Sequence, residues 1–175
     1  MLVKQLKATE VKEETKMMEQ TLVLIKPDGV QRGLVGRILG RFEDVGLKIK
    51  GVKMVWVNPE FSKKHYKELL KKHFYPWLEE MITEGPVVAI VLEGLHAIEL
   101  ARKLVGATEP RTALPGTIRG DFAHHSYEFT DAKQRSIKNL VHASGNAKEA
   151  KEEVKLWFTD KELHAYKTVH EKHVF

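Results

Sequence analysis

The chain has 175 residues, of which 42% are hydrophobic and 30% are charged, as in a single soluble globular domain rather than a disordered chain. It contains no cysteine, which excludes disulfide frameworks and thiolate metal sites. The longest apolar runs fall far short of the roughly 18 residues that span a bilayer, and the N-terminus lacks the apolar segment of a secretory signal. We therefore predict a cytoplasmic protein with no membrane partner.

The formal net charge of +5 predicts an affinity for anions, which include nucleotides, nucleic acids and acidic membranes. The 24 acidic residues are interspersed among the 29 basic ones, as on an ordinary solvated surface. Charge alone therefore does not choose among these ligands.

Apolar and turn-forming residues predict alternating strands and helices in one domain. This domain comprises residues 17–175, and residues 1–16, where both signs of charge are mixed, form an N-terminal extension. The predicted elements are strands at 20–25, 48–57, 87–92 and 122–127, helices at 34–45, 59–72, 76–83, 97–105 and 147–158, and a long loop at 106–120. This order suits either a ferredoxin-like α+β fold or a small doubly wound α/β fold, and the pattern leaves both open.

His142 is the candidate nucleophile. A neutral imidazole keeps a lone pair near neutral pH, so it attacks phosphorus without a separate base, and a covalent intermediate lets donor and acceptor share one site. An isolated histidine is more often a surface or core residue. Asn139 and Ser144 beside it, with Glu153 further on, favour the catalytic interpretation.

Three cations, Lys26, Arg102 and Arg119, lie on separate predicted elements. Phosphoryl transfer depends on positioning and on charge stabilisation of the transferred group, which such cations supply. Thr108 would add a hydroxyl donor, although a loop hydroxyl also commonly bonds its own backbone. The chain has no GxxxxGK[ST] and no GxGxxG after a strand, so a nucleotide would be held differently from common kinases.

In combination and order, these residues resemble nucleoside diphosphate kinases from about residue 21 to residue 158. The motifs are Lys26-Pro27-Asp28-Gly29, Arg102, Thr108, the run 116–122 and the run 139–146. The resemblance implies a single α+β domain with a ferredoxin-like antiparallel sheet and helices packed on it. It also implies transfer of the γ-phosphate from a nucleoside triphosphate, typically ATP, to a nucleoside diphosphate through phosphohistidine.

The resemblance further assigns roles to individual residues. Glu153 orients the ring of His142, in the way that an acid orients the histidine of a catalytic triad, and Ser144 hydrogen-bonds Glu153. Lys26 reaches sugar and phosphate, while Asn139 bonds the ribose hydroxyl.

Arg102, Thr108 and Arg119 belong with Lys26 and Asn139 as nucleotide-binding residues. Phe74 stacks on the base, which any base permits, and Tyr66 approaches the phosphate and His142. Taken alone, both aromatics are equally well explained as core residues.

The resemblance implies Mg²⁺ bound mainly through nucleotide phosphates, with no metal site of the protein's own, and a homo-hexamer, or a tetramer as the lesser possibility, with loop 110–116 at subunit contacts. Three features depart from the family pattern. Gly145 stands where many members have aspartate, Lys72 where arginine is frequent, and the polar segment 123–138 is longer than in many relatives. This segment would alter the rim beside the base or a subunit contact.

A nucleic-acid-binding protein that has kept the fold is the alternative interpretation, and both activities can coexist. The net charge, Tyr66 and Phe74 permit it, whereas the lack of an RNP-type aromatic strand and of a helix with a continuous basic face disfavours it. A third possibility, phosphohistidine transfer onto protein partners, has only His142 in its favour.

Overall fold

The computed structural model describes residues 17–169 and 171–174, so the predicted extension 1–16 lies outside the described residues. The strands are β1 (Met18–Ile25), β2 (Lys48–Trp56), β3 (Pro86–Leu95) and β4 (Val141–Ala143). The helices are α1 (Pro27–Gln31), α2 (Val35–Glu43), α3 (Pro59–His65), α4 (Tyr75–Thr83), α5 (Ala97–Val105), α6 (Ile118–Phe122), α7 (Tyr127–Ala132), α8 (Ala147–Trp157) and α9 (Glu171–Val174).

The four strands form one sheet in the order β2-β3-β1-β4, and each neighbouring pair is antiparallel. This confirms the ferredoxin-like α+β fold and excludes the doubly wound alternative, whose sheet is mostly parallel. β1 and β3 lie in the centre, where β1 is fully buried from Thr21 to Ile25. Strands covered on both faces are expected to be continuously apolar, as these two are at residues 22–25 and 86–92.

Helices cover both faces of the sheet, and the alternation of side chains along β1 assigns residues to one face or the other. Val23 and Ile25 belong to the core under α2 and α5. Leu22 and Leu24 belong to the core under α4 and α8. Among the described helices, none combines the length and apolar character that a bilayer crossing requires.

The predicted strand at 122–127 is wrong. Phe122 ends α6, and the Ser126 side chain accepts a hydrogen bond from the Phe129 backbone N–H, which starts α7 instead. A serine at this position is a common helix cap and competes with an extended conformation. The fourth strand is β4, which pairs His142 with Leu24 of β1.

Two further segments differ from their predictions. Pro27 occupies the first turn of α1, where a proline costs no helical hydrogen bond, so the predicted turn is the start of a short helix. The helix predicted at 59–72 ends at His65. The chain beyond it forms successive turns with hydrogen bonds between residues three apart, up to Tyr75. The predicted loop 106–120 contains a 3₁₀ turn at Pro110–Thr112 and the first residues of α6.

Candidate active site

A cavity of about 610 Å³ opens between the segment after α3, α5, β4 and the polar segment 123–138. Most of the site residues singled out in the sequence line it. They are Lys26, Tyr66, Phe74, Arg102, Thr108, Arg119, Asn139 and His142. Ser144 and Glu153 do not line the cavity but lie behind His142, to which Glu153 is hydrogen-bonded. The fold therefore brings residues from distant parts of the chain to one place.

β4 presents His142 and α8 presents Glu153 at hydrogen-bond distance. His142 Nε2 lies 3.0 and 3.1 Å from the two Glu153 carboxylate oxygens. An ionised carboxylate only accepts, so Nε2 carries the ring proton and Nδ1 keeps the lone pair. In the neutral form of the ring, this arrangement therefore leaves the lone pair on Nδ1, the nitrogen that faces away from Glu153.

Ser144 holds the other side of the same carboxylate. Its hydroxyl donates to Glu153 Oε2 at 2.6 Å, and its oxygen accepts from the Leu22 backbone N–H at 3.3 Å. Burial on its own would raise the pKa of Glu153, but the bonds from His142 and Ser144 hold this pKa below its ordinary value. Glu153 is therefore ionised at neutral pH, as an acceptor for Nε2–H must be.

Lys26 begins a chain of polar contacts at the end of β1. Its ammonium donates to Asn139 Oδ1 at 2.8 Å, and Asn139 Nδ2 donates to the backbone carbonyl of Thr108 at 2.8 Å. Burial is the main cause that lowers the pKa of Lys26 to about 8. Lys26 is thus mostly charged at neutral pH, but its charged fraction is smaller than that of an exposed lysine.

Arg119 is fixed by three backbone carbonyls. Its guanidinium donates to Asn139 at 3.1 Å, to Gly106 at 3.0 Å and to Val141 at 2.6 Å. A guanidinium has five N–H donors, so two remain for a ligand. Burial is the main cause that lowers the pKa of Arg119 to about 10, which leaves it charged at neutral pH.

Further cavity residues lie on the segment 123–138 and around Phe74. The sequence predicted that this segment alters the rim beside the base or a subunit contact, but it did not indicate which of its side chains line the cavity. The additional lining residues include Leu69, His73, Trp77, Tyr127, Thr130, Asp131, Arg135, Ser136 and Ile137. The segment therefore forms part of the cavity wall, as do Phe74 and Trp77.

Gly145 stands where the family resemblance predicts an aspartate, and another carboxylate, that of Glu149, lies next to it. The Gly145 backbone N–H donates to Glu149 Oε2 at 2.9 Å, and Glu149 lines the cavity. A Cβ at position 145 would lie 2.6 Å from that oxygen, which is closer than Cβ atoms approach. A carboxylate from α8 thus lies beside the position where many relatives have an aspartate. Lys72 is exposed and is not among the lining residues.

Ser144→Ala should lower the free energy of unfolding by about 1–3 kcal/mol at neutral pH, because it removes a donor from a mostly buried carboxylate. It should also raise the pKa of Glu153, since the lost bond stabilises the ionised form. Because a lowered carboxyl pKa stabilises the fold above that pKa, the difference in stability should shrink as the pH falls.

Urea denaturation and a carboxyl ¹³C titration would measure these two effects. Ser126→Ala is the matched control, since it removes the α7 cap and should leave the pKa of Glu153 unchanged. A Ser144→Ala protein with wild-type stability and an unshifted Glu153 would contradict the geometry.

The chain was compared with known proteins and structures. The family model for nucleoside diphosphate kinase matches residues 19–163. The nucleoside diphosphate kinase of Pyrococcus abyssi is 53% identical over 148 residues, which are 85% of this chain and 89% of that protein. That of Borreliella burgdorferi is 45% identical over 156 residues, 86% of this chain and 93% of that protein.

Solved structures agree with these matches. A transition state mimic of nucleoside-diphosphate kinase from Borrelia burgdorferi with bound vanadate and ADP superposes with a TM-score of 0.87 at 44% identity, covering 90% of this chain and 97% of that one. A halophilic nucleoside diphosphate kinase from Halobacterium salinarum in complex with CDP has a TM-score of 0.81 at 40% identity, covering 90% and 98%. Sequence, fold and family model agree over most of the chain, and the chain belongs to the nucleoside diphosphate kinase family.

Proposed function

We propose that His142 carries the phosphoryl group in the reaction of this nucleoside diphosphate kinase, which transfers the γ-phosphate of a nucleoside triphosphate to a nucleoside diphosphate through phosphohistidine. The observation that carries the proposal is the bond between His142 Nε2 and Glu153, which leaves the Nδ1 lone pair on a residue that lines a cationic cavity. The Borrelia burgdorferi enzyme binds vanadate and ADP, which supports a nucleotide as the ligand of this chain as well.

In the first half-reaction, the Nδ1 lone pair forms a bond to the γ-phosphorus. The bond between that phosphorus and the β–γ bridging oxygen breaks, and the nucleoside diphosphate leaves with the electron pair. In the second half-reaction, a terminal oxygen of the acceptor diphosphate attacks the phosphorus, and the P–N bond electrons return to Nδ1. Glu153 stabilises the imidazolium character that the ring gains on phosphorylation, in the way that an acid supports the histidine of a catalytic triad.

The cations hold the phosphates in this scheme. Arg102 and the two remaining donors of Arg119 bind phosphate oxygens, together with the Thr108 hydroxyl. Each charge-assisted hydrogen bond contributes about 1.5–3 kcal/mol, which is enough to make their sum the main source of phosphate affinity. Lys26 binds phosphate and sugar and Asn139 binds the ribose hydroxyl in this scheme, and the bond of 2.8 Å between the two side chains supports their acting together.

Phe74 and Tyr66 take different parts of the substrate. Phe74 is half-buried at the cavity rim, and its exposed ring face would stack on the base without selecting among bases. Tyr66 lines the cavity beside His65, whose ring contacts that of His142. We assign Tyr66 to the part of the cavity wall beside His142 that approaches the transferred phosphoryl group.

Mg²⁺ fits this site as an ion that is coordinated by the nucleotide phosphates rather than by protein side chains. Asp28 accepts the Leu140 backbone N–H, and Asp121 pairs with Arg41. Glu149 is bonded to Gly145 and Asn146. Among the described residues these acids form no shared cage, whereas magnesium readily stays with phosphates and water. When bound, Mg²⁺ would neutralise phosphate charge while the protein cations orient the γ-phosphate.

His142→Ala should abolish the phosphoenzyme while nucleotide binding persists, because only the nucleophile is removed. The measurement is a single-turnover reaction with γ-labelled ATP and Mg²⁺, followed by unlabelled GDP to collect labelled GTP. His73→Ala is the matched control, since it removes another cavity histidine that has no assigned role. Acid-labile label on the His142→Ala chain, chased by GDP, would contradict the assignment.

ATP affinity should fall as the pH rises through about 8, because a lysine with this lowered pKa is charged below that value and neutral above it. Loss of one charge-assisted bond of about 1.5–3 kcal/mol predicts a Kd that rises roughly 5- to 10-fold between pH 7 and pH 9. Calorimetric titration of His142→Ala avoids turnover. The double variant that also carries Lys26→Met should bind ATP weakly, with a Kd that does not change between pH 7 and pH 9. A double variant that binds ATP as tightly as His142→Ala would contradict the role of Lys26.

We also propose a homo-hexamer, with a tetramer as the smaller alternative. β2 is an edge strand, and its outward side chains Val52, Met54 and Trp56 are 53%, 59% and 70% exposed. Leu114, in the loop 110–116, is 73% exposed. An exposed apolar edge strand normally pairs with another chain.

Met54→Glu should therefore shift the sedimenting species to a smaller assembly, because it places a charge on this edge. Lys63→Glu, on the exposed part of α3, is the control for a charge change away from it. Analytical ultracentrifugation would measure both variants, and a wild type that sediments as a monomer would contradict the proposal.

A further inference from the structure

His65 is a buried histidine next to the proposed nucleophile that has no part in the scheme above. Its side chain is 1% exposed and does not line the cavity. Its ring makes edge-to-face contacts with Tyr66 at 4.5 Å, His142 at 4.8 Å and Trp157 at 5.5 Å between centroids. A histidine in such a place needs a hydrogen-bonding arrangement that tolerates burial.

The hydrogen bond from Trp157 determines which tautomer this ring has. Trp157 Nε1 lies 3.2 Å from His65 Nδ1. An indole N–H only donates, so Nδ1 must keep its lone pair and the ring proton of neutral His65 is on Nε2. Nε2 is buried and has no hydrogen-bond partner among the described residues. Protonation of Nδ1 would break the one hydrogen bond that the ring makes.

The electrostatic surroundings also favour the neutral form. The titratable groups that face His65 are Tyr66, His142 from β4, Glu153 from α8 and Lys26 after β1. Burial is the main cause that lowers the pKa of His65 to about 3, and the neighbouring His142 and Lys26 act in the same direction, against Glu153. Glu153 Oε1 is 3.8 Å from His65 Nδ1, which is beyond hydrogen-bond distance.

The same hydrogen bond anchors the helix that carries Glu153. Trp157 and Glu153 are four residues apart on α8, so they project from the same side of the helix. Trp157 is buried and bonded to the last residue of α3, while Glu153 is bonded to His142 on β4. His65 thus connects three elements whose relative position sets the distance between Glu153 and His142.

We propose that His65 is a positioning residue, an imidazole that stays neutral throughout the reaction, anchors α8 through Trp157 and leaves the charge of Glu153 entirely to His142. This inference rests on the proposed role of His142 as the phosphate acceptor. An imidazolium at position 65 would compete for the Glu153 carboxylate and would repel the imidazolium ring of the phosphohistidine, so the neutral form of His65 is the one that supports the reaction.

The first test reads His65 directly in the wild-type protein and needs no turnover. Long-range ¹H–¹⁵N spectra of the imidazole rings should show His65 as the Nε2–H tautomer across the whole range of pH in which the protein is folded, in the free and in the phosphorylated enzyme. A His65 that titrates near the ordinary histidine pKa, or that carries its proton on Nδ1, would overturn the proposal even if His142 is the nucleophile.

The second test separates positioning from packing. His65→Phe keeps a ring but removes the acceptor for Trp157, so phosphoenzyme formation at saturating ATP should slow about 10-fold, with the half-saturating ATP concentration unchanged within about twofold. His65→Asn places an acceptor near the Nδ1 position and should recover most of that rate. Phe61→Leu removes another aromatic contact to Trp157, 4.8 Å between centroids, and should leave the rate unchanged.

Equal rates for His65→Phe and the wild type would overturn the positioning role, as would a His65→Asn protein that folds but is no faster than His65→Phe. If instead the wild type forms no phosphoenzyme at all, the proposed function fails, whereas the tautomer of His65 is still measured separately by the NMR spectra.

Discussion

The hydrogen bond between His142 and Glu153 is the interaction on which the proposed chemistry of this site depends. A histidine attacks phosphorus only through a nitrogen that keeps its lone pair, and the carboxylate keeps the proton on the other nitrogen. Ser144 fixes the carboxylate, and Trp157 with His65 fixes the helix that carries it. Buried polar contacts of this kind determine one geometry because each alternative would leave a buried group without a partner.

The fold makes this bond possible by placing a very short strand at the edge of the sheet. β4 has only the residues Val141–Ala143, and it is held by pairing with β1 and by contacts at its start. The Leu140 backbone N–H donates to Asp28 Oδ2 at 3.0 Å, and the Leu140 carbonyl accepts from the Lys26 backbone N–H at 2.8 Å. The same contacts therefore bring the proposed nucleophile and the buried lysine to adjacent positions. Leu140 has a φ of 68°, which is unusual for a branched residue and shows how tightly this junction is constrained.

The sequence predicted the central strands and the α5 and α8 helices, because long apolar runs and helical periodicity are local signals. It also indicated eight of the cavity-lining residues, through motifs that resemble one family. It did not predict β4, since three residues beside an asparagine give no alternation from which a strand can be identified. Nor did it indicate His65, which gains its significance from contacts with Trp157 and His142, 92 and 77 positions away in the chain. For the segment 123–138 the sequence left a cavity rim and a subunit contact both open, because a polar segment does not show which of its side chains, such as Tyr127, Asp131 and Arg135, face inward.

The central claim is that Nδ1 of His142 accepts the phosphoryl group because Nε2 is held by Glu153. The most direct measurement is a ¹⁵N–³¹P coupling experiment on imidazole-labelled protein phosphorylated with ATP, which identifies the nitrogen bound to phosphorus. The account predicts phosphate on Nδ1 of His142, with Nε2 still protonated beside Glu153. Phosphate on Nε2, or on another residue, would contradict it.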